Sequence, residues 1–258
     1  MTGLVTGGTG TIGAPVTRLL LERGEDVRTL TRGGRPAVPG ARPVIGNLLG
    51  EQPLTAAFEG VETVIHAASP RGRKLVETTL RGTARVIEAA CASGVGHVVL
   101  ISIVGVDQLR GFPYYRAKLA EEELLKTSGV PCSVLRATQC HPLLAQLFGV
   151  ARRVGLVPYP AGVLVQPVDP AEVATVLADL VPAGPSGRVP DVGGPEIRAA
   201  GEYAGQWRAA RGGHGLPLPL PGRVGAALRG GALTVQDRRV GTTTFAQWLA
   251  RDDAAGPG

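Results

Sequence analysis

Tyr114 and Lys118 stand four residues apart in Tyr-Tyr-Arg-Ala-Lys. On a helix that spacing puts both side chains on one face. A phenol beside an ammonium is an acid/base pair. The hydroxyl can protonate a carbonyl oxygen while a hydride arrives, or take the alcohol proton in reverse. The ammonium favours the phenolate of a group whose ordinary pKa is about 10. Lysine can also hold a ribose. Ser102 ends the apolar run Val98-Val99-Leu100-Ile101 and could orient or polarise the carbonyl oxygen. Tyr115 is one residue off the Lys118 face, so it is expected to line or pack the pocket. A tyrosine and lysine at this spacing are commonplace in helices. Their chemical weight comes from what precedes them.

The chain opens with an apolar-leaning segment, Gly3 to Thr6, that runs into Gly7-Gly8-Thr9-Gly10-Thr11-Ile12-Gly13. Val16, Leu19, Leu20 and Leu21 follow at helical spacing. Strand, glycine turn and helix together are the setting in which such glycines hold a dinucleotide. Gly7 permits the tight turn, Gly10 the approach of a pyrophosphate and Gly13 close helix packing. Thr9, Thr11 and Ile12 lie on the same loop, where helix N–H groups would face the phosphates. The spacing is GxxGxxG, not the commoner GxGxxG. Val27 to Leu30 reads as the second strand and ends at Thr31-Arg32. An acidic residue there would bond both ribose hydroxyls and favour NAD. Arg32 and Arg35 stand there instead, and a guanidinium grips a 2′-phosphate. The expected cofactor is therefore NADP, as NADPH.

Several elements must position these residues. Pro43 to Ile45 is a short third strand, with Asn47 beyond it near adenine. Leu54 to Phe58 suggests a helical turn and Val61 to Ala67 the fourth strand. Ala67, Ala68 and Ser69 are small enough for backbone to pass beside the cofactor. His66, at the same edge, is expected to be a structural hydrogen bonder. Lys74 to Cys91 has the apolar spacing of a helix laid on a sheet. Val98 to Ile101 is a buried parallel strand, whose C-terminal end faces the crevice. The Tyr114 helix runs on through Leu125 with its glutamates outward. Val130 to Leu135 is the next strand. Thr138 and Gln139 beyond it could touch carboxamide or substrate. Leu143 to Val154 is expected to be a helix beside an apolar pocket, with His141 more a packing residue than a substrate contact. Leu164 to Val168 reads as a strand. Asp169 caps the next helix, with Pro170 at its first position. Gly187 to Gly194 adds a small strand. Tyr203 and Trp207 share a helix face, Pro217, Pro219 and Pro221 break the following segment, and Thr243 to Ala250 closes with a helix.

The whole chain has 258 residues, 44 % hydrophobic and 19 % charged, with a formal charge of +6. That suits one large α/β domain, with or without an appendage. The arginines are scattered, aromatics are few and no helix-turn-helix pattern is visible, so nucleic acid is not the expected partner. The three cysteines have no metal-like spacing, and Cys91 and Cys132 are expected to be buried thiols. No apolar run is long enough for a bilayer and the start runs directly into the glycine turn. A cytoplasmic protein is expected, a monomer or homodimer that takes a small-molecule substrate.

Thr6 to Gly13, Ser102 in Ser-Ile-Val-Gly-Val, Tyr114 to Lys118 and Leu135 to Gln139 together resemble the short-chain dehydrogenase/reductase superfamily. Gly193 to Glu196 and Pro221 to Ala232 narrow the resemblance to its atypical group, related to NmrA-type regulators and isoflavone-reductase-like enzymes, in an actinobacterial form. The resemblance implies an α/β fold: a Rossmann-like, doubly wound, seven-stranded parallel sheet with a small C-terminal substrate region. The expected division is an NADP-binding core over 1–135 and a region over 136–258 that completes the sheet and forms the pocket. The resemblance implies Tyr114 as acid/base, Lys118 as its helper and ribose ligand, and Ser102 as the carbonyl-orienting group. Asn47 and Glu172 stand where the group often has aspartate. The expected activity is NADPH-dependent reduction of a small, largely apolar ketone, enone or related metabolite. The alternatives are a non-redox isomerase or cyclase on the same fold, and a cofactor-sensing regulator without turnover.

Overall fold

The computed structural model describes residues 1–33, 38–69, 75–236 and 240–255. The chain divides into two units. The first comprises Met1–Ser102, Phe112–Arg136 and Val173–Pro190; the second comprises Ile103–Gly111, Ala137–Glu172 and Asp191–Gly258. Neither unit is one continuous stretch of sequence. The structure adds that residues 103–111 belong to the second unit and residues 173–190 to the first.

The first unit holds the sheet. β1 (Thr2–Thr6) leads through the glycine turn into α1 (Gly13–Glu22), and β2 (Asp26–Thr31) and β3 (Arg42–Ile45) follow. A helical turn, α2 (Thr55–Phe58), precedes β4 (Thr63–His66), and α3 (Leu75–Ala92) precedes β5 (His97–Ile103). α4 (Pro113–Thr127) carries Tyr114 and Lys118 and leads to β6 (Cys132–Ala137). The order among the described residues is β3-β2-β1-β4-β5-β6-β9, where β9 is Gly187–Arg188. β1 pairs in parallel with both β2 and β4, so Thr6 lies opposite Leu30 on one side and His66 on the other. The order reverses between β1 and β4, and ligands of such sheets bind at the strand ends beside that reversal. Leu4 and Val5 of β1, Val64 of β4 and Val98 and Leu100 of β5 are almost wholly buried, as strands covered on both faces must be. Phe58, Val86, Leu125 and Val134 pack into the same core.

The second unit is built from α5 (His141–Gly149), β7 (Leu156–Pro160), β8 (Leu164–Val165), the first turn of α6 (Pro170–Ala183), β10 (Arg198–Ala199), α7 (Ala200–Arg211), β11 (His214–Leu218), α8 (Gly222–Arg229) and α9 (Phe245–Ala255). Phe245 lies at the centre of its core, with Tyr203 and Phe148 edge-on and Trp248 stacked. Asp169 caps α6 as expected, accepting from the Ala171 amide at 2.9 Å.

Several expectations need correction. Leu143 to Val154 is not one helix: α5 stops at Gly149, and a separate 3-10 turn at Arg152–Val154 ends on Gly155 at φ 70°. The strand expected over 164–168 is only Leu164–Val165. Pro217 does not break its segment. β11 pairs in parallel with β7, Pro217 lying opposite Tyr159, on an edge where a missing N–H costs little. Cys91 is exposed and Cys132 only partly covered, because α3 turns Cys91 outward.

Candidate cofactor and catalytic site

The glycine loop is shaped by contact with itself and with the end of β4. Gly7 has φ 72°, and a Cβ there would come within 2.7 Å of Ala67 O and the Ala68 backbone. A Cβ on Gly13 would lie 2.1 Å from Gly7 O, so the start of α1 rests on the turn itself. Gly10 donates to Gly7 O at 2.8 Å and closes the loop. Ile12 at the N-cap makes no side-chain bond and the first turn of α1 has no acidic residue. Ala14 donates to Gly10 O and Val16 to Ile12 O, each at 3.1 Å, and Pro15 has no N–H, so an anion would be held by the loop ahead of them, at the positive end of α1 and with no carboxylate competing. Thr9 and Thr11 are exposed beside them, and Ala67 and Ala68 line the facing edge half-buried, with Ser69 exposed. This donor set fits a dinucleotide diphosphate. Arg32 is exposed one residue beyond the end of β2. Arg35 lies outside the described residues. Asn47 is exposed, and its Oδ1 accepts from the Leu49 amide at 3.0 Å, which leaves its amide nitrogen for a ligand.

Tyr114 and Lys118 lie in the first turns of α4, whose Pro113 suits the helix start. Tyr114 is half-buried, with Tyr115 edge-on at 6.1 Å between centroids. Burial first, and then Tyr114 beside it, push the Tyr115 phenol up to about 12. Tyr115 therefore holds its proton hard and is poorly suited to give it up. Lys118 is 3 % exposed. Its Nζ donates to Ile101 O at 2.8 Å and pairs with Glu121. Two of its three hydrogens are therefore engaged within the first unit.

The glutamates of α4 are the clearest departure from expectation. Glu121 and Glu122 face inward, at 1 % and 7 % exposed. Glu122 is gripped by the Arg136 guanidinium of β6, Nε to Oε1 at 2.9 Å and Nη2 to Oε2 at 2.7 Å, and it accepts the Ser102 hydroxyl. Ser102 is 1 % exposed, so the hydrogen expected to face a carbonyl is turned inward instead. Burial opposes ionisation of Glu121, but the Lys118 ammonium and then His66 overcome it and hold the carboxyl at about 2. The signal was present in the spacing. Ala117, Lys118, Glu121, Glu122 and Leu125 fall on one helical face, and that face is the buried one. His66 proves structural as expected, bonded to Thr6 and Thr83.

In the second unit Thr138 is 4 % exposed and its hydroxyl donates to Gln166 O. The Gln139 amide bonds Leu233 O at 3.2 Å and the Gln166 amide at 3.3 Å, so both its ends hold the fold together. His141 is fully buried, donates to Thr243 O and stacks with Trp248, in keeping with packing. Burial lowers its pKa, which keeps the ring neutral.

Residues 7–181 match the NAD(P)H-binding family model, from the glycine turn to the end of α6. The chain belongs to the NAD(P)H-binding family. Within it, the chain is 32 % identical over 212 residues to the (4-alkanoyl-5-oxo-2,5-dihydrofuran-3-yl)methyl phosphate reductase of Streptomyces griseus, covering 79 % of this chain and 71 % of that protein. It is 31 % identical over 143 residues to the photosystem II assembly factor Ycf39 of Cyanophora paradoxa, covering 53 % of this chain. That match spans less than half of the assembly factor, 44 % of its length. In structure the chain resembles an NADPH-dependent quinone oxidoreductase of Escherichia coli in complex with NADPH, with a TM-score of 0.79 at 20 % identity over 98 % of this chain and 100 % of the other. A nucleoside-diphosphate-sugar epimerase of Staphylococcus aureus gives a TM-score of 0.78 at 17 % identity, over 96 % and 99 %. At these identities the two structures establish the doubly wound fold of NAD(P)H-binding proteins. Among the described residues no helix is long and apolar enough to cross a membrane, and no group of His, Cys, Asp and Glu is placed to hold a metal.

Proposed function

We propose that the protein is an NADPH-dependent reductase of a small, largely apolar ketone, enone or related metabolite. The observation that carries this is the fixing of Lys118 by a buried carboxylate on the helix that presents the half-buried Tyr114, in the same unit as the glycine cradle. Gly7, Gly10 and Gly13 with Thr9, Thr11 and Ile12 hold the diphosphate, Arg32 takes the 2′-phosphate, and Asn47 and the Ala67–Ser69 edge flank the rest. Once bound, NADPH supplies the hydride. Tyr114 supplies the proton to the substrate oxygen. Lys118 favours the phenolate that remains, and its third N–H serves a ribose hydroxyl. Ser102 acts as a support, through Glu122. The Streptomyces griseus relative supports an electrophilic substrate, since its name describes reduction of an oxo-dihydrofuran.

The test is NADPH oxidation against a panel of quinones, enones and unsaturated lactones. Turnover that falls in Tyr114→Phe by a factor on the order of 100 to 10,000, with NADPH binding kept, is the expected result. Undiminished turnover would remove Tyr114 as acid/base. NADPH that binds but is never oxidised would favour the cofactor-sensing regulator.

A further inference from the structure

Glu121 takes no part in the proposed chemistry, yet it is 1 % exposed against the ammonium that does. Its Oε2 meets Lys118 Nζ. Its Oε1 accepts from Thr83 Oγ1 of α3 at 2.6 Å and lies 3.4 Å from His66 Nε2 of β4. Thr83 gives its hydroxyl hydrogen to Glu121, so the hydrogen between His66 Nε2 and Thr83 Oγ1, 3.0 Å apart, belongs to His66. His66 Nδ1 is 2.6 Å from Thr6 Oγ1, which also accepts from the Ala68 amide. Thr6 is the last residue of β1, directly before Gly7, and Ala68 is the residue on which Gly7 packs. Thr6, His66, Thr83, Lys118 and Glu121 are each at most 3 % exposed. A buried pair of charges is a poor source of stability, because apolar side chains of similar size do as well or better. The Lys118–Glu121 pair therefore calls for another reason.

We infer that Glu121 is a positioning residue: its carboxylate keeps the Lys118 ammonium charged and in place and, through Thr83 and His66, ties it to Thr6 at the root of the glycine loop. Cofactor seating and the proton-handling helix then share one buried frame. The inference rests on the proposed role of Lys118 toward the ribose. Few other groups face the pair. α3 contributes Thr83, while its Arg81 and Glu88 are exposed and its Arg85 turns to Gln52 O. β5 contributes Ile101 O, while Ser102 of β5 and Arg136 of β6 are engaged with Glu122. α4 itself adds Tyr114 and Glu122. Among the described residues Glu121 is the carboxylate that pairs with Lys118, and a buried ammonium without its counter-ion loses its proton more easily.

The test is NADPH binding, followed by nucleotide fluorescence at pH 6 and pH 9, in the full chain and three variants. Relative to the unsubstituted protein, Glu121→Gln should bind NADPH about tenfold more weakly at pH 9 and by less than about threefold at pH 6, since Lys118 keeps its proton only at the lower pH. Lys118→Met should be weakened equally at both. The double variant should match Lys118→Met, because Glu121 acts through Lys118. Glu121→Gln with the same ratio at both pH values overturns the inference even if its Tm falls, which is all that a merely structural carboxylate would produce. Lys118→Met with unchanged binding overturns the ribose role itself, and the inference with it. If Glu121→Gln does not fold, Thr83→Val removes one donor and leaves the charge pair. It should move the pH 9 value in the same direction by less, and a ratio independent of pH overturns the inference.

Discussion

In the proposed function, Arg32 is the residue on which cofactor choice turns. It is exposed, so its removal leaves the core untouched. Arg32→Ala should weaken NADPH by roughly 10- to 100-fold, the worth of a hydrogen bond between charged groups, and leave NADH almost unchanged. Equal losses for the two nucleotides in a binding titration would remove Arg32 from the 2′-phosphate. Ser102 makes a contrasting case. With its hydroxyl donated to Glu122, Ser102→Ala should cost stability more than turnover, lowering kcat/KM by less than about tenfold if no direct contact with the transition state is lost. A loss near that of Tyr114→Phe would restore it as a carbonyl-orienting group. Glu121 has an acid signature of its own. Its folded pKa, about 2, lies below the unfolded value, so the unfolded chain takes up the proton first as pH falls. The stability it contributes is whole above about 4.5 and is lost as pH drops through about 2. Urea unfolding at pH 6 and pH 3 should therefore show a smaller difference in Glu121→Gln than in the unsubstituted chain.

At the scale of elements, α5 separates two kinds of apolar residue that look alike in sequence. Phe148 is 1 % exposed and packs on Trp207 and Phe245, while Leu147 beside it is 56 % exposed. Phe148→Ala should cost about 3–5 kcal/mol in urea unfolding, and Leu147→Ser less than about 0.5 kcal/mol. If the outer face of α5 serves an apolar substrate, Leu147→Ser raises KM without moving the urea midpoint. The inner strands β1, β4, β5 and β6 and the helices α1, α3, α4, α6 and α7 were legible because buried parallel strands are largely apolar and their helices keep a 3.6-residue period. β7 and β11 were not. Their five-residue stretches contain prolines, and they pair with each other across more than fifty residues, which no local pattern reports. The glycine loop was legible because backbone contact forbids side chains at Gly7 and Gly13. The inward glutamates were hidden by their charge, since a carboxylate in sequence suggests solvent until its partner is known. Lys118, on the same helical face, was already in view, but Arg136 and Thr83 are distant in the chain.

The molecule as a whole is two units threaded through one another in sequence. The glycine loop, Arg32, Asn47 and the Ala67–Ser69 edge, proposed to hold NADPH, belong to the first unit, so on that proposal NADPH acts on the stability of that unit directly. Binding at 100 times Kd should raise the unfolding free energy by about 2.7 kcal/mol, seen as a higher Tm, with NADH doing less at equal concentration. The threading also bears on how the chain is made. The edge strand β9, Gly187–Arg188, pairs with β6 and forms the margin of the sheet, yet it lies some fifty residues further along. A ribosome therefore releases six strands of the sheet, and most of the second unit's early segments, before the seventh exists. The nascent chain must carry an open sheet margin at Ser133 and Val134 through that interval, making this edge the place where chaperones, or a second nascent copy, would find an unfilled strand position.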